Sequence, residues 1–207
     1  TTLGADLQHP DSTFVEDTAV LTRHAAILTR PGASSREGEV TVLRQTLRGF
    51  FDKFYEIEAP GTLDGGDICE AEDHFWIGIS RRTNEEGGRQ LAEILSREGC
   101  TSSFIDIRER TDILHLKSGI SYIGDNHLVV MEPMAGFDEF RKYALIAVSP
   151  EESYAANCVR VNDFTLVASG FPGLEASLKK RGFQLYPLEM SEFQKMDGGL
   201  SCLSLRF

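Results

Sequence analysis

The chain has 207 residues, 41% of them apolar and 26% charged, with 32 acidic side chains against 21 basic ones and a net charge of -11. That is enough chain for one packed domain covering residues 1–207, and no linker-like stretch divides it. The acidic balance argues against nucleic acid and anionic membrane as partners, because both need a basic face, and no apolar run reaches the ~18 residues of a membrane span.

Taken in order, the chain repeats one pattern four times. Two short alternating strands joined by a polar turn are followed by a segment of helical spacing and then a third strand. The first predicted hairpin covers residues 13–21 and 25–29, the second 66–70 and 74–79, the third 120–123 and 127–131, and the fourth 157–161 and 164–168. The helical segments carry Val40, Leu43, Leu47 and Phe50; then Leu91, Ile94 and Leu95 behind a Thr83-x-x-Glu86 capping box; then Phe137, Phe140 and Tyr143; and last Leu174 and Leu178 between Pro172 and Gly182. The closing strands fall at 54–58, 103–107, 145–148 and 183–187. The predicted unit is therefore ββαβ.

Residues 201–207 read as the first strand of a fifth unit, and residues 1–10 as the end of a unit without a beginning. Joining these ends makes five units, which would close a ring. The expectation is an α/β fold, a propeller of ββαβ units with one unit incomplete. A complementary piece of roughly 40–50 residues would be the size of one such unit.

If the units share one orientation, their first strands face a common centre. Asp11, Glu16 and Asp17 come from the first unit, Asp64 and Asp67 from the second, His115 from the third, Asn157 from the fourth, and Ser201 and Cys202 from the last segment. Each residue alone has an ordinary structural reading. Cys202 alone is a small core thiol, His115 a half-buried histidine, and Arg36 and Arg82 are solvated loop charges. Together they suit nucleophilic chemistry. A thiolate at Cys202 needs an acid–base partner, His115 can shuttle a proton, and Asp64 can orient the imidazole. Glu16 and Asp17 are expensive to bury unpaired, and a planar guanidinium would pair them bidentately. The remaining cysteines, at 69, 100 and 158, fit no CxxC or zinc spacing, and no signal peptide opens the sequence. They read as reduced thiols of a cytoplasmic protein.

Seven stretches carry a resemblance: PDSTFVED at 10–17, TRPGASSR at 29–36, GTLDGGD at 61–67, RTN at 82–84, LHLKSG at 114–119, AANC at 155–158 and DGGLSC at 197–202. In this order, and over essentially the whole chain, they resemble the dimethylarginine dimethylaminohydrolase family of the pentein, or guanidine-modifying, superfamily. The resemblance implies a five-bladed α/β propeller and hydrolysis of Nω-methylated arginines to citrulline and an amine, with no cofactor or metal. It implies Cys202 as nucleophile, His115 as general acid and base, and Asp64 as its acidic partner. It further implies Glu16 and Asp17 as a guanidinium-binding pair, with Met196 lining that pocket through its backbone. Asp11 would hold the substrate α-amino group, and Arg36 and Arg82 its α-carboxylate. The partner implied is a small guanidine, and a homodimer is left open. The family's N-terminal strand, helix and lid loop have no counterpart in the sequence, which begins after them. The rival readings are an arginine deiminase, a non-catalytic ring-shaped binding protein and, disfavoured by residue order, a papain-like thiol protease.

Overall fold

A computed structural model describes all residues from Thr1 to Phe207. It contains four sheets of three strands, each built the same way. The first sheet is β1 (Ala19–Leu21), β2 (Ala26–Leu28) and β3 (Phe54–Glu56), with helix α1 (Glu39–Leu47) in the crossover. The second is β4 (Ile68–Ala71), β5 (His74–Ile79) and β6 (Thr101–Asp106), crossed by α2 (Glu85–Arg97). The third is β7 (Ile120–Tyr122), β8 (His127–Met131) and β9 (Ala144–Val148). The fourth is β10 (Val159–Val161), β11 (Phe164–Ala168) and β12 (Gln184–Leu188), crossed by α3 (Pro172–Lys180). In every sheet the first two strands pair antiparallel as a hairpin, and the third pairs parallel to the second after the crossover. A parallel return needs such a crossover, because a tight turn can join only antiparallel strands. The ββαβ repeat and the α/β propeller class follow from this pattern.

Four local expectations need correction. Residues 13–18 are not strand: Pro10–Thr13 and Val15–Thr18 are 3₁₀ turns, tied down because the Arg36 guanidinium donates to the carbonyls of Asp11 (3.2 Å) and Phe14 (3.0 Å). The α2 cap is Asn84, whose Oδ1 accepts the N–H of Gly87 at 2.8 Å, and Thr83 is instead fully buried. The third crossover has no α-helix but 3₁₀ turns at Glu132–Met134 and Asp138–Phe140. Phe137, Phe140 and Tyr143 recur at strict threes, which is the 3₁₀ period rather than 3.6. Finally, Ser201–Leu203 is a 3₁₀ turn, followed by extended Ser204 and by residues 205–207, all outside the four sheets.

The fivefold repeat persists in the turns that precede the first strands: Val15–Thr18, Gly65–Asp67, Leu116–Ser118, Pro150–Ala156 and Ser201–Leu203. Side chains clasp each turn to the next. Asp17 Oδ1 accepts the N–H of Gly66 (2.8 Å), and Asp67 Oδ1 that of Leu116 (3.0 Å). Ser121 Oγ accepts the N–H of Cys158 (3.0 Å) and donates to the carbonyl of Ala156 (2.8 Å). Asn157 Oδ1 accepts the N–H of Ser201 (2.9 Å), and Ser201 Oγ donates to Glu16 at 2.7 Å, which returns to the first turn. The largest apolar cluster, around Trp76 and Phe140 in edge contact at 5.2 Å, joins the second, third and fourth sheets.

Candidate active site

A cavity of about 180 Å³ opens where the turns meet, and eight of the nine expected site residues line it: Asp11, Asp17, Arg36, Asp64, Arg82, His115, Met196 and Cys202. They come from positions 11–115 and 196–202, and neither the third nor the fourth sheet contributes one. Glu16 is the exception.

His115 stands in extended conformation just ahead of its turn and is 7% exposed. Its Nε2 meets Asp64 Oδ2 at 3.0 Å and lies 4.0 Å from Asp17 Oδ1. Asp64 is fixed in turn: its Oδ1 accepts the N–H of Gly32 (2.7 Å), and its own N–H donates to Thr83 Oγ1 (3.1 Å). Burial alone would lower the His115 pKa, but Asp17, the Asp64 hydrogen bond and Asp67 outweigh it and raise it to about 9. The imidazolium is therefore the resting form. Burial works to raise the Asp64 pKa, and the His115 hydrogen bond and charge overcome it and hold the carboxyl below its ordinary value.

Asp67, expected among the carboxylates that face the centre but given no role there, buttresses both residues. Its Oδ2 accepts hydrogen bonds from Ser80 and Thr83 (both 2.7 Å), and its Oδ1 takes the N–H of Leu116 next to His115. Burial pushes its pKa to about 6 against the pull of His115 and these donors, so it is ionised at neutral pH. Its place near Asp64 in GTLDGGD puts it at the centre, but nothing local reveals its partners.

Cys202 is half-buried in the last turn, with its Sγ accepting from the N–H of Gly199 at 3.4 Å. Burial, Glu16 and Asp17 push the thiol up to about 12 against the Gly199 N–H and Lys117, so the free site holds a neutral thiol beside an imidazolium. A smaller cavity of about 40 Å³ behind it is lined by Glu16, Lys117, Tyr154 and Asn157 and also reaches His115.

Two expected roles do not match the placement. Glu16 is 2% exposed and points away from the main cavity, accepting from Lys117 (2.6 Å), Ser201 (2.7 Å) and Arg206 (3.3 Å). Burial would raise its pKa, but Lys117 and Arg206 hold it below the ordinary carboxylate range. Its charge is therefore already spent. Arg36 is 6% exposed, and its guanidinium is committed to Asp17 (2.5 Å), Glu39 (2.7–3.1 Å) and two carbonyls rather than open to a carboxylate. Arg36→Ala would leave Asp17 and Glu39 buried without their cation, and should cost about 3–5 kcal/mol of unfolding free energy. Chemical denaturation checks this; a stable variant with only a raised KM would return Arg36 to carboxylate binding. Arg82 and Asp11, by contrast, have side chains free of hydrogen bonds and ion pairs at the cavity rim, while Met196 contributes a half-exposed side chain.

The carboxylate oxygens of Asp17 and Asp64 and a ring nitrogen of His115 lie within 4.8 Å of one another, close enough for a divalent cation. Such an ion would have to displace the Asp64–His115 hydrogen bond, because that imidazole nitrogen cannot serve both.

A cysteine thiol, a carboxylate-held imidazolium and a buried aspartate at the end of an open cleft define a hydrolase site for guanidino groups. The Arginine deiminase family model matches residues 8–166. The N(G),N(G)-dimethylarginine dimethylaminohydrolase of Pseudomonas aeruginosa is 42% identical over 208 residues, covering 100% of this chain and 81% of that protein. The enzyme of the same name from Streptomyces coelicolor is 31% identical over 95% of this chain and 74% of its own length. A solved structure of the P. aeruginosa enzyme, a cysteine-to-serine variant complexed with citrulline, superposes with a TM-score of 0.94 at 41% identity, covering 98% of this chain and 78% of that one. The chain belongs to the dimethylarginine dimethylaminohydrolase family and is an enzyme acting on guanidino groups.

Proposed function

We propose that this chain hydrolyses Nω-methylated arginines to citrulline and methylamine or dimethylamine, with Cys202 as nucleophile, His115 as proton carrier and Asp64 as its orienting partner. The observation that carries this reading is the single cavity holding Cys202, His115 and Asp17 together, with Arg82 and Asp11 unpaired at its rim. The substrate side chain enters with its guanidinium toward Asp17. Its α-carboxylate meets Arg82 and its α-ammonium meets Asp11.

The charge state explains the order of events. In the free site the carboxylates favour a proton on His115 and oppose a thiolate. A guanidinium beside Asp17 adds a positive charge, which stabilises the thiolate and lets the thiol proton leave to solvent. The thiolate adds to the guanidinium carbon, forming the S–C bond. His115 then gives its proton to the departing amine nitrogen as the C–N bond breaks, leaving a thiouronium on Cys202. Neutral His115 next takes a proton from water. The hydroxide adds to the same carbon, the C–S bond breaks as the new hydroxyl's proton passes to the departing sulfur, and the ureido group of citrulline is released with the Cys202 thiol restored.

The test is citrulline formation from dimethylarginine, monomethylarginine and arginine under identical conditions. Faster turnover of the methylated substrates is expected. Faster turnover of arginine would move the assignment to a deiminase, and no citrulline from any of the three would leave a binding protein. The pH profile follows from His115. The reacting form needs His115 protonated and Cys202 ionised, so kcat/KM should rise by about tenfold per pH unit up to the His115 value of about 9 and then level off, because each further thiolate gained is matched by an imidazolium lost. Bound guanidinium favours the thiolate and repels the His115 proton, so the rise in kcat should level off at lower pH than the rise in kcat/KM. Coincident limbs would mean that the substrate charge does not reach His115. The four free thiols support a cytoplasmic setting.

A further inference from the structure

The nucleophile's turn is gripped from one side by the turn at 150–156 and the residue after it. Asn157 uses its whole amide: Oδ1 accepts the N–H of Ser201 (2.9 Å), while Nδ2 donates to Ser201 Oγ (2.9 Å) and to the carbonyl of Lys117 (2.8 Å). Tyr154 donates its hydroxyl to the carbonyl of Gly198 at 2.8 Å. The two contacts bracket Gly199 and Leu200. A Cβ on Gly199 would lie 2.6 Å from the Asn157 amide carbon, so glycine lets the backbone rest directly on that amide.

We propose that Asn157, with Tyr154, is a positioning residue for the reaction: the pair sets the Gly198–Cys202 backbone so that the Gly199 N–H points at Cys202 Sγ. This N–H is the one hydrogen-bond donor on the sulfur in the structure. Glu16, Asp17, Lys117, His115 and Tyr154 surround the thiol, and the carboxylates Glu16 and Asp17 disfavour the thiolate. A fixed donor on sulfur matters most in such surroundings, because a hydrogen bond to an ionised acceptor is stronger than one to a neutral acceptor. An amide is required because one face must accept and the other donate. Aspartate would lose both donations and add a charge beside Glu16.

The proposal rests on the guanidine-hydrolase reading for its kinetic arm only, and its second arm needs no substrate. Iodoacetamide alkylation of Cys202, followed by peptide mass spectrometry to separate it from Cys69, Cys100 and Cys158, reads thiolate availability directly. Asn157→Ala is expected to slow alkylation at pH 8 by about tenfold and to move its pH midpoint upward. It should lower kcat by about 30-fold or more with KM within about threefold, because geometry at the sulfur is lost while substrate contacts remain. Tyr154→Phe removes a single hydroxyl, should keep the melting temperature, and should give the same pattern with effects of about three- to tenfold. It decides the matter if Asn157→Ala does not fold. Unchanged alkylation and unchanged kcat in folded Tyr154→Phe would overturn the clamp. So would an equal loss of kcat and gain in KM without any shift of the alkylation midpoint. Normal alkylation shifts with no turnover of methylated arginines would keep the clamp and reject the substrate.

Discussion

His115→Ala should lower kcat on dimethylarginine by about 10³-fold, within the range that a positioned general acid supplies. Its neighbours define the reason. Asp64 at 3.0 Å and Asp17 at 4.0 Å keep the imidazole protonated in the free site, so a proton waits where an amine must depart. A dialkylamide cannot leave without it. The diagnostic comparison uses an S-alkyl isothiourea analogue of the substrate, whose thiolate leaving group needs no proton. The loss on that analogue should be far smaller in single-turnover measurements of the first step. Equal losses on both substrates would reduce His115 to a structural element that holds Asp64 and Asp17 apart.

Gly66→Ala should reduce turnover by about 10²-fold or more and destabilise the chain by about 1–3 kcal/mol. The glycine is needed for closeness rather than for an unusual backbone angle. A Cβ at position 66 would stand 2.8 Å from Asp17 Oδ1 and 2.8 Å from both Cγ and Nδ1 of His115. Neither neighbour has solvent to retreat into, since Asp17 is 3% and His115 7% exposed. The imidazole would therefore move off Asp64, or the Asp17–Gly66 hydrogen bond would break. Denaturation midpoints and steady-state kinetics on the same preparation check both halves. A stable variant with full activity would mean that the turn at 65–67 is looser than its contacts indicate.

The repeat and most of the site were legible in the sequence because their signals are local. Alternation in segments such as 74–79 and the proline and glycine around α3 fix hairpins and helix ends without tertiary help. The motifs around Asp64, His115 and Cys202 place chemistry at the starts of repeated units. What was not legible depends on distant partners. Glu16 and Asp17 are adjacent, yet Glu16 faces Lys117 and Arg206, 101 and 190 residues away, while Asp17 faces the cavity. Arg36 looks like an open loop cation until Glu39 and two carbonyls are brought against it. Residues 15–18 alternate like a strand, but the cost of leaving buried carboxylates unpaired overrides propensity and bends them into a turn.

The ring of clasped turns has a consequence for how the catalyst comes into being. Its closing link joins Ser201 to Glu16 across 185 residues of chain, and the nucleophile sits one residue beyond. Local hairpins can form as the polypeptide emerges from the ribosome, but the pocket has no sulfur until Cys202 is made. Such closure is entropically late and favours slow, all-or-none assembly. A nascent chain that has not reached Cys202 therefore carries no half-built reactive centre, and the onset of activity in a refolding experiment reports the moment at which the Ser201 turn meets Glu16.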